Sequence, residues 1–372
     1  GVADISGSLK LFEQMPLDFV LNSKNFNPVV LSDLSPQGKV NGTAKVSGSL
    51  KDTPNIVAEL LFKDSVVSGM PLNINGKVQY ADNHIAPSQI DLRLGENKIL
   101  ANGSLGKIGD KMNIDIAAPT LSQFGFGLSG SLNVKGDIAD DFMHIKTALN
   151  GNANAFKYKD IVQLQKLNFN IVASPDQTAP LKVDLDGQHL TVPSVQISTV
   201  KINLNGTQAA HHLNANADLV ALDKPYRADI VASGGLDKAY NWHGTVSKFN
   251  SSGTVDLALQ NPVKLTAGSQ TVALGQARWR LFSGLLDLQH FSWQRKGGIK
   301  TQGKAENIQL SHLKNIMDMP VEQNLVLSAD WNMQYDANAP GSLNIRRVSG
   351  DVTIPGKKRT VGLNKLEFAA KL

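Results

Sequence analysis

The chain has no cysteine, which excludes a disulfide scaffold and thiolate metal sites and leaves the redox compartment open. Aromatic residues are only 6% of the 372 positions, while 41% are hydrophobic. A core can therefore form, but it is built mostly from small and aliphatic side chains. No apolar run approaches the about 18 residues that a membrane-spanning helix needs. The basic excess is slight, with a formal net charge of +5. It is also scattered along the chain, which argues against a nucleic-acid surface. Linkers, charge blocks and low-complexity segments are missing, so residues 1–372 read as one continuous segment. The chain starts at Gly1 with no Met or signal-like stretch and ends in strand-like sequence from Leu366 to Leu372. Both ends read as cuts in a longer repetitive protein.

What the chain has is alternation. Leu325, Leu327, Ala329, Trp331, Met333 and Tyr335 fall on one face of a strand, and Ser328, Asp330, Asn332 and Gln334 on the other. A period of two makes a strand apolar on one side and wet on the other. Ile114 with Ile116, and Leu257 with Leu259, repeat the pattern. Asn-Gly pairs at Asn41-Gly42, Asn75-Gly76, Asn102-Gly103, Asn150-Gly151 and Asn205-Gly206 predict hairpin turns, since a type I′ turn needs positive φ at both central residues. The class predicted is all-β, a long antiparallel meander. Two short helical connectors are expected, at Leu121–Phe124 and from Ser311 to Met317. A degenerate repeat links Lys98–Gly103, Lys201–Gly206 and Ile299–Gly303, with the final glycines 103 and then 97 residues apart. The repeating unit is thus a multi-strand module of roughly a hundred residues.

The sequence offers no reaction chemistry. Gly125 to Gly130 matches G-x-G-x-x-G, but Leu132 and Val134 continue at strand spacing where a dinucleotide site needs a helix. Asp184-Leu185-Asp186-Gly187 lacks the remaining ligands of a calcium loop and reads as a strand ending in an Asp-Gly turn. His211 and His212 are adjacent, so on a strand they point to opposite faces and cannot share a metal. Gln276–Phe282 and Arg295–Gly298 put cations near aromatics; the pattern can meet anionic head groups, but a solvated strand face explains it more simply. No catalytic residue, metal site or cofactor is expected, and the chain is not read as an enzyme.

The Gly-x5-Gly runs (Gly1…Gly7, Gly42…Gly48, Gly130…Gly136), Leu100–Gly103, Gly206–Leu213, Trp242-His243-Gly244 and Gln260–Leu265 resemble the TamB family of the AsmA-like superfamily of bridge-like lipid transfer proteins. The resemblance implies a sheet curled into an open, taco-like groove with an apolar interior, and a place in the periplasm of a Gram-negative cell. It also implies an inner-membrane anchor and contact with the outer-membrane protein TamA, both through regions outside this sequence. A meander with one apolar face must pack on a second sheet, close, or curl around an apolar guest. Glycines such as Gly48 and Gly136 permit the bends that curling requires. The function expected is a conduit carrying phospholipid between inner and outer membranes. Its acyl chains would lie on Leu325, Leu327, Ala329, Trp331, Met333, Tyr335, Ile114, Ile116, Leu257 and Leu259. Assembly of outer-membrane proteins with TamA is the alternative, through exposed strand edges. A packed structural spacer is the third reading.

Overall fold

The structure is a computed structural model that describes residues 1–11, 14–315, 322–334, 341–354 and 359–371. It divides into two units, Gly1–Thr199 and Val200–Leu372. The first holds β1 (Val2–Leu9), β2 (Pro16–Phe26), β3 (Gly38–Ser49), β4 (Asn55–Val67), β5 (Met70–Ala81), β6 (His84–Leu94), β7 (Asn97–Leu105), β8 (Lys111–Ala118), β9 (Leu128–Ala139), β10 (Lys146–Tyr158), β11 (Val162–Ala173) and β12 (Pro180–Val192). From β1 to β12 each strand pairs antiparallel with the next. β13 (Val195–Thr207) crosses the boundary between the units.

The second unit contains β14 (His211–Ala221), β15 (Lys224–Leu236), β16 (Trp242–Gly253), β17 (Leu257–Leu259), β18 (Val263–Ala267), β19 (Thr271–Leu274), β20 (Ala277–Leu281), β21 (Gly284–Gln294), β22 (Gly298–Gln309), β23 (Glu322–Gln323), β24 (Val326–Gln334), β25 (Ser342–Ser349), β26 (Val352–Ile354), β27 (Arg359–Val361) and β28 (Glu367–Lys371). β16 pairs with both β17 and β18, and β21 with both β19 and β20. Two successive strands are thus each broken into end-to-end halves, the first at Pro262, which cannot donate to a ladder. The pairing continues through β22, β24, β25 and β28, while β23, β26 and β27 form a small sheet of their own. The predicted all-β antiparallel meander is what the structure contains. The expected connectors are 3-10 turns, at Leu121–Phe124 and Leu310–Asn315; Met317 lies outside the described residues.

The Asn-Gly pairs are not hairpins. All five lie inside strands, and among the described residues the two-residue turns with positive φ at both positions are Ser68-Gly69, Asp82-Asn83 and Leu222-Asp223. Asn41 shows why. The β2–β3 and β3–β4 registers each slip beside it, between Ser23 and Phe26 and between Lys39 and Gly42. Its carboxamide accepts from Asn25 N and donates to the Asp64 carbonyl, while its own backbone N–H donates to Ser65 Oγ. One side chain on β3 therefore stitches the bulges of its two neighbours, β2 and β4, into a crease, and bulges bend and twist the strands that carry them. Asp186-Gly187 likewise sits within β12 and not at its end, because the β11–β12 ladder continues on both sides of it.

Gly136 supports bending by close approach. Its φ is +147°, and a Cβ there would strike the Ala148 carbonyl on β10. Gly69, at φ +76°, has nothing within 4 Å of a Cβ position. Gly136→Val is predicted to cost about 3 kcal/mol through backbone strain, and Gly69→Ala about 1 kcal/mol. Denaturant unfolding checks this. Equal losses would show that strand approach at Gly136 is not limiting.

Candidate functional site

The strand registers align one apolar row across the first unit. Ile5, Leu21, Ala44, Leu60, Gly76, Ile90, Ala101, Ile114, Gly136, Leu149, Ile171 and Val183 are successive cross-strand partners from β1 to β12. Twelve strands at the ordinary spacing make about 50 Å of continuous apolar surface. No register-paired position on this face of the unit carries a charged side chain or a histidine. None of the row's aliphatic side chains is buried. Among the described residues no second layer fills the face along this row.

Among the described residues a dense apolar cluster sits at one rim. Val67, Leu72 and Leu94 form a buried cluster with Val40, Ile74, Leu92 and Phe124 against it. The 3-10 turn that supplies Phe124 is held by Asn97, itself 1% exposed. Its Nδ2 donates to the Leu94 and Thr120 carbonyls and to Gln123 Oε1, at 3.1, 3.0 and 2.8 Å, and its Oδ1 accepts from Thr120 N at 2.9 Å. The rim is thereby closed over packed side chains, while the middle of the face stays open.

The second unit repeats the arrangement. Leu259, Trp279, Leu286, Ala305, Ala329, Ile345 and Phe368 are successive partners across β17, β20, β21, β22, β24, β25 and β28. Leu257 lies beside Leu281 on the same face. Leu327, Ala329, Trp331 and Met333 share this face and are half-buried; Leu325 is buried, and Tyr335 lies outside the described residues. The Trp331 indole donates to Thr301 Oγ1 at 3.0 Å, which satisfies its one polar atom. Ile114 and Ile116 belong to the first unit's face. The candidate positions that lie on paired strands and have described side chains thus share their unit's apolar face.

The opposite faces carry the charge. Arg278, Asp287, Lys304, Asp330 and Asn344 are successive partners, with Arg278 donating to Asp287 at 2.6 Å. Hydrogen bonds from Arg278 and Arg93 hold the Asp287 and Asp91 carboxyls below the usual carboxylate range. A depression of about 640 Å³ opens on this polar side, lined by Gln302, Lys304, Glu306, Asp330 and Arg346. Its lining is ionic, in contrast to the half-open apolar face. His211 and His212 diverge as expected, one ring bonding Trp242 and the other Ser233. Among the described residues no group of three or more His, Asp or Glu is placed to hold a metal.

One polar cluster had no signal in sequence spacing. The Asp237 carboxylate accepts from His243 Nε2 at 2.9 Å, from the Asn241 side chain at 3.1 Å and from the backbone N–H groups of Ala239 and Asn241. His243 Nδ1 lies 3.2 Å from Thr266 Oγ1. The connectivity is that of a hydrolytic triad, but the carboxylate serves to order the turn between β15 and β16. The bond from His243 foremost, then those from Asn241, hold its pKa far below the ordinary value. A lowered carboxylate pKa stabilises the fold above the unfolded value of about 3.9, and the contribution is lost as pH falls through the folded value.

Two predictions follow from this geometry. The Asp237 titration followed by NMR should have its midpoint below about 3.9, and a midpoint at or above that would refute the turn geometry. Leu94→Ala should cost about 3 kcal/mol, because the packed rim cannot collapse, and Ile116→Ala about 1 kcal/mol, because its site is already half-open. Similar losses at both positions in chemical denaturation would mean that the face is filled.

Residues 1–372 match the sequence model of the family described as TamB, N-terminal domain. No curated protein and no solved structure matches significantly.

Proposed function

The chain belongs to the TamB family, and from that premise we propose that its apolar sheet faces are a path for phospholipid acyl chains in the cell envelope. The observation that carries this reading is the twelve-strand row from Ile5 to Val183, free of charge and half-exposed. A spacer with a packed core would bury those side chains. An acyl chain laid across them recovers about 0.8 kcal/mol for each CH2 removed from water. Apolar contact has no preferred direction, so a chain moving along an unbroken row exchanges like contacts for like and meets little barrier.

On this reading the protein is a carrier and not an enzyme, and it works in the periplasm between an inner-membrane anchor and TamA. The polar head groups stay at the water-exposed margin while the tails lie on the apolar face. Assembly of outer-membrane proteins is the competing role within the same family, and it draws on strand edges more than on the sheet face.

A photo-crosslinker in cells tests the reading directly, placed at Leu327 with Asn332 as the control on the opposite face. Phospholipid adducts at Leu327 and not at Asn332 are expected. Polypeptide adducts would favour assembly of client strands, and purely intramolecular ones a packed spacer. Leu327→Asp and Ile114→Asp are expected to abolish lipid transfer while the far-UV circular dichroism of the sheet persists. Transfer that survives both substitutions would rule the conduit out.

A further inference from the structure

The second unit breaks the absence of charge on the apolar face at one interior point. Among the described residues three side chains able to carry positive charge occupy register-paired positions on that face: His211, Lys224 and Arg347. His211 and Lys224 are the first residues of β14 and β15, at the sheet's margin. Arg347 lies within β25, opposite Leu327, on the face shared by Leu343 and Ile345. A bulge sets it there. Val326 and Leu327 are adjacent on β24, yet they face Ser349 and Arg347, which leaves Val348 as the extra residue. Val348 is 50% exposed while the Arg347 side chain is 18% exposed. The usual order, with the apolar residue inward and the charged one outward, is inverted at this pair.

Four other arginines pair differently. Arg93, Arg227, Arg278 and Arg346 have side chains 58%, 66%, 58% and 61% exposed and hold carboxylates on the polar faces. Arg347 donates through Nε to the Gly350 carbonyl at 2.6 Å and through Nη2 to Asp351 Oδ1 at 3.4 Å. The second contact is long for a charge-assisted bond. The same Asp351 oxygen also accepts from Leu363 N at 2.9 Å. Asp351 is therefore a shared and weak counter-ion. Arginine has five N–H donors in a planar fork, and these two bonds leave the Nη1 pair for a further acceptor.

We infer that Arg347 is an anion-binding residue on the apolar face, taking the phosphate or carboxylate head group of an amphiphile whose tail lies on Leu327 and Ile345. The inference rests on the reading of that face as an acyl path. Ile345, two residues away on the same face, is about 7 Å along the strand, a few carbon–carbon bonds from a head group at the guanidinium. Planar guanidinium matches both carboxylate and phosphate oxygens in pairs, and displacing the long Asp351 contact exchanges a weak acceptor for a stronger one. An uncharged head group of the same size gains nothing there.

The test uses three ligands with one tail: dodecyl phosphate, dodecanoate and dodecanol. Their binding to the purified chain is measured by calorimetry for the wild type, Arg347→Gln, Arg347→Lys and Asp351→Asn. The wild type is expected to prefer one or both anions over dodecanol by about tenfold. The ratio of the two anions identifies phosphate or carboxylate as the natural partner. Arg347→Gln should remove the preference and leave dodecanol binding unchanged. Arg347→Lys should keep part of it, and Asp351→Asn should raise anion affinity. An anion preference unchanged in Arg347→Gln, or an absent preference in the wild type with dodecanol still bound, overturns the inference and leaves the acyl path standing. Failure of all three ligands to bind the folded wild type overturns both.

Discussion

An antiparallel sheet satisfies its backbone hydrogen bonds within its own plane, so a strand can leave one whole face free of polar obligations. The rest of this structure depends on that freedom. Side chains alternate with a period of two, and every pairing from β1 to β12 preserves the alternation. Charge accumulates on one side, where Arg278, Asp287, Lys304 and Asp330 alternate in sign across strands. Methyl groups accumulate on the other. A register slip of one residue in any strand would exchange the two. The bulges therefore come with fixing contacts, as at Asn41 and Ser65, where side-chain bonds hold the slipped strands in place.

An apolar face without a second layer is costly in water, and the structure limits that cost locally. Val67, Leu72 and Leu94 close one rim beneath a 3-10 turn pinned by Asn97, so the open stretch is bounded by packed structure. The scarcity of aromatic residues fits the same demand. Rings bury large areas and favour dense contact with one another. Alanine, valine and glycine in the central row keep the surface low and leave room above it. Gly76 removes side-chain bulk from the row, and Gly136 both removes bulk and lets the neighbouring backbone approach.

Much of this is legible in the sequence, and the errors have identifiable causes. The period of two places Leu327, Ala329, Trp331 and Met333 on one face without reference to any partner strand, because facing is a property of the strand itself. Asn-Gly is different. Its turn preference reflects the ease with which both residues adopt positive φ, yet Asn41 does not adopt it, and the positive φ falls at Asn25 and Asp64 on the neighbouring strands. At Asn41-Gly42 local chemistry allows either outcome, and the neighbours at Asn25 and Asp64 decide it. Asn97 and Gln123 carry no local signal at all, since their contact joins residues 26 positions apart. Arg346-Arg347 is ambiguous for a related reason. The sequence shows two adjacent cations, and only the bulge at Val348 and the pairing with Leu327 determine which of them turns inward.

On the proposed reading as a lipid carrier, the apolar face must both pass its cargo along and recognise it. Apolar burial scales with area and takes no account of chemical identity, so the row from Ile5 to Val183 can hold any acyl chain and cannot distinguish one lipid from another. Discrimination needs directional contacts, which means charge or hydrogen bonds, and each of those placed along the row would trap whatever it recognised. A path that must both select and release therefore gains from keeping its charge at one place. Twelve strands of the first unit contain none on the apolar face, and the second places a single shielded arginine within it, loosely held by a carboxylate that also serves the backbone of Leu363. Movement and recognition can then be varied separately, the first by the bulk of the row and the second by the strength of the Arg347–Asp351 contact.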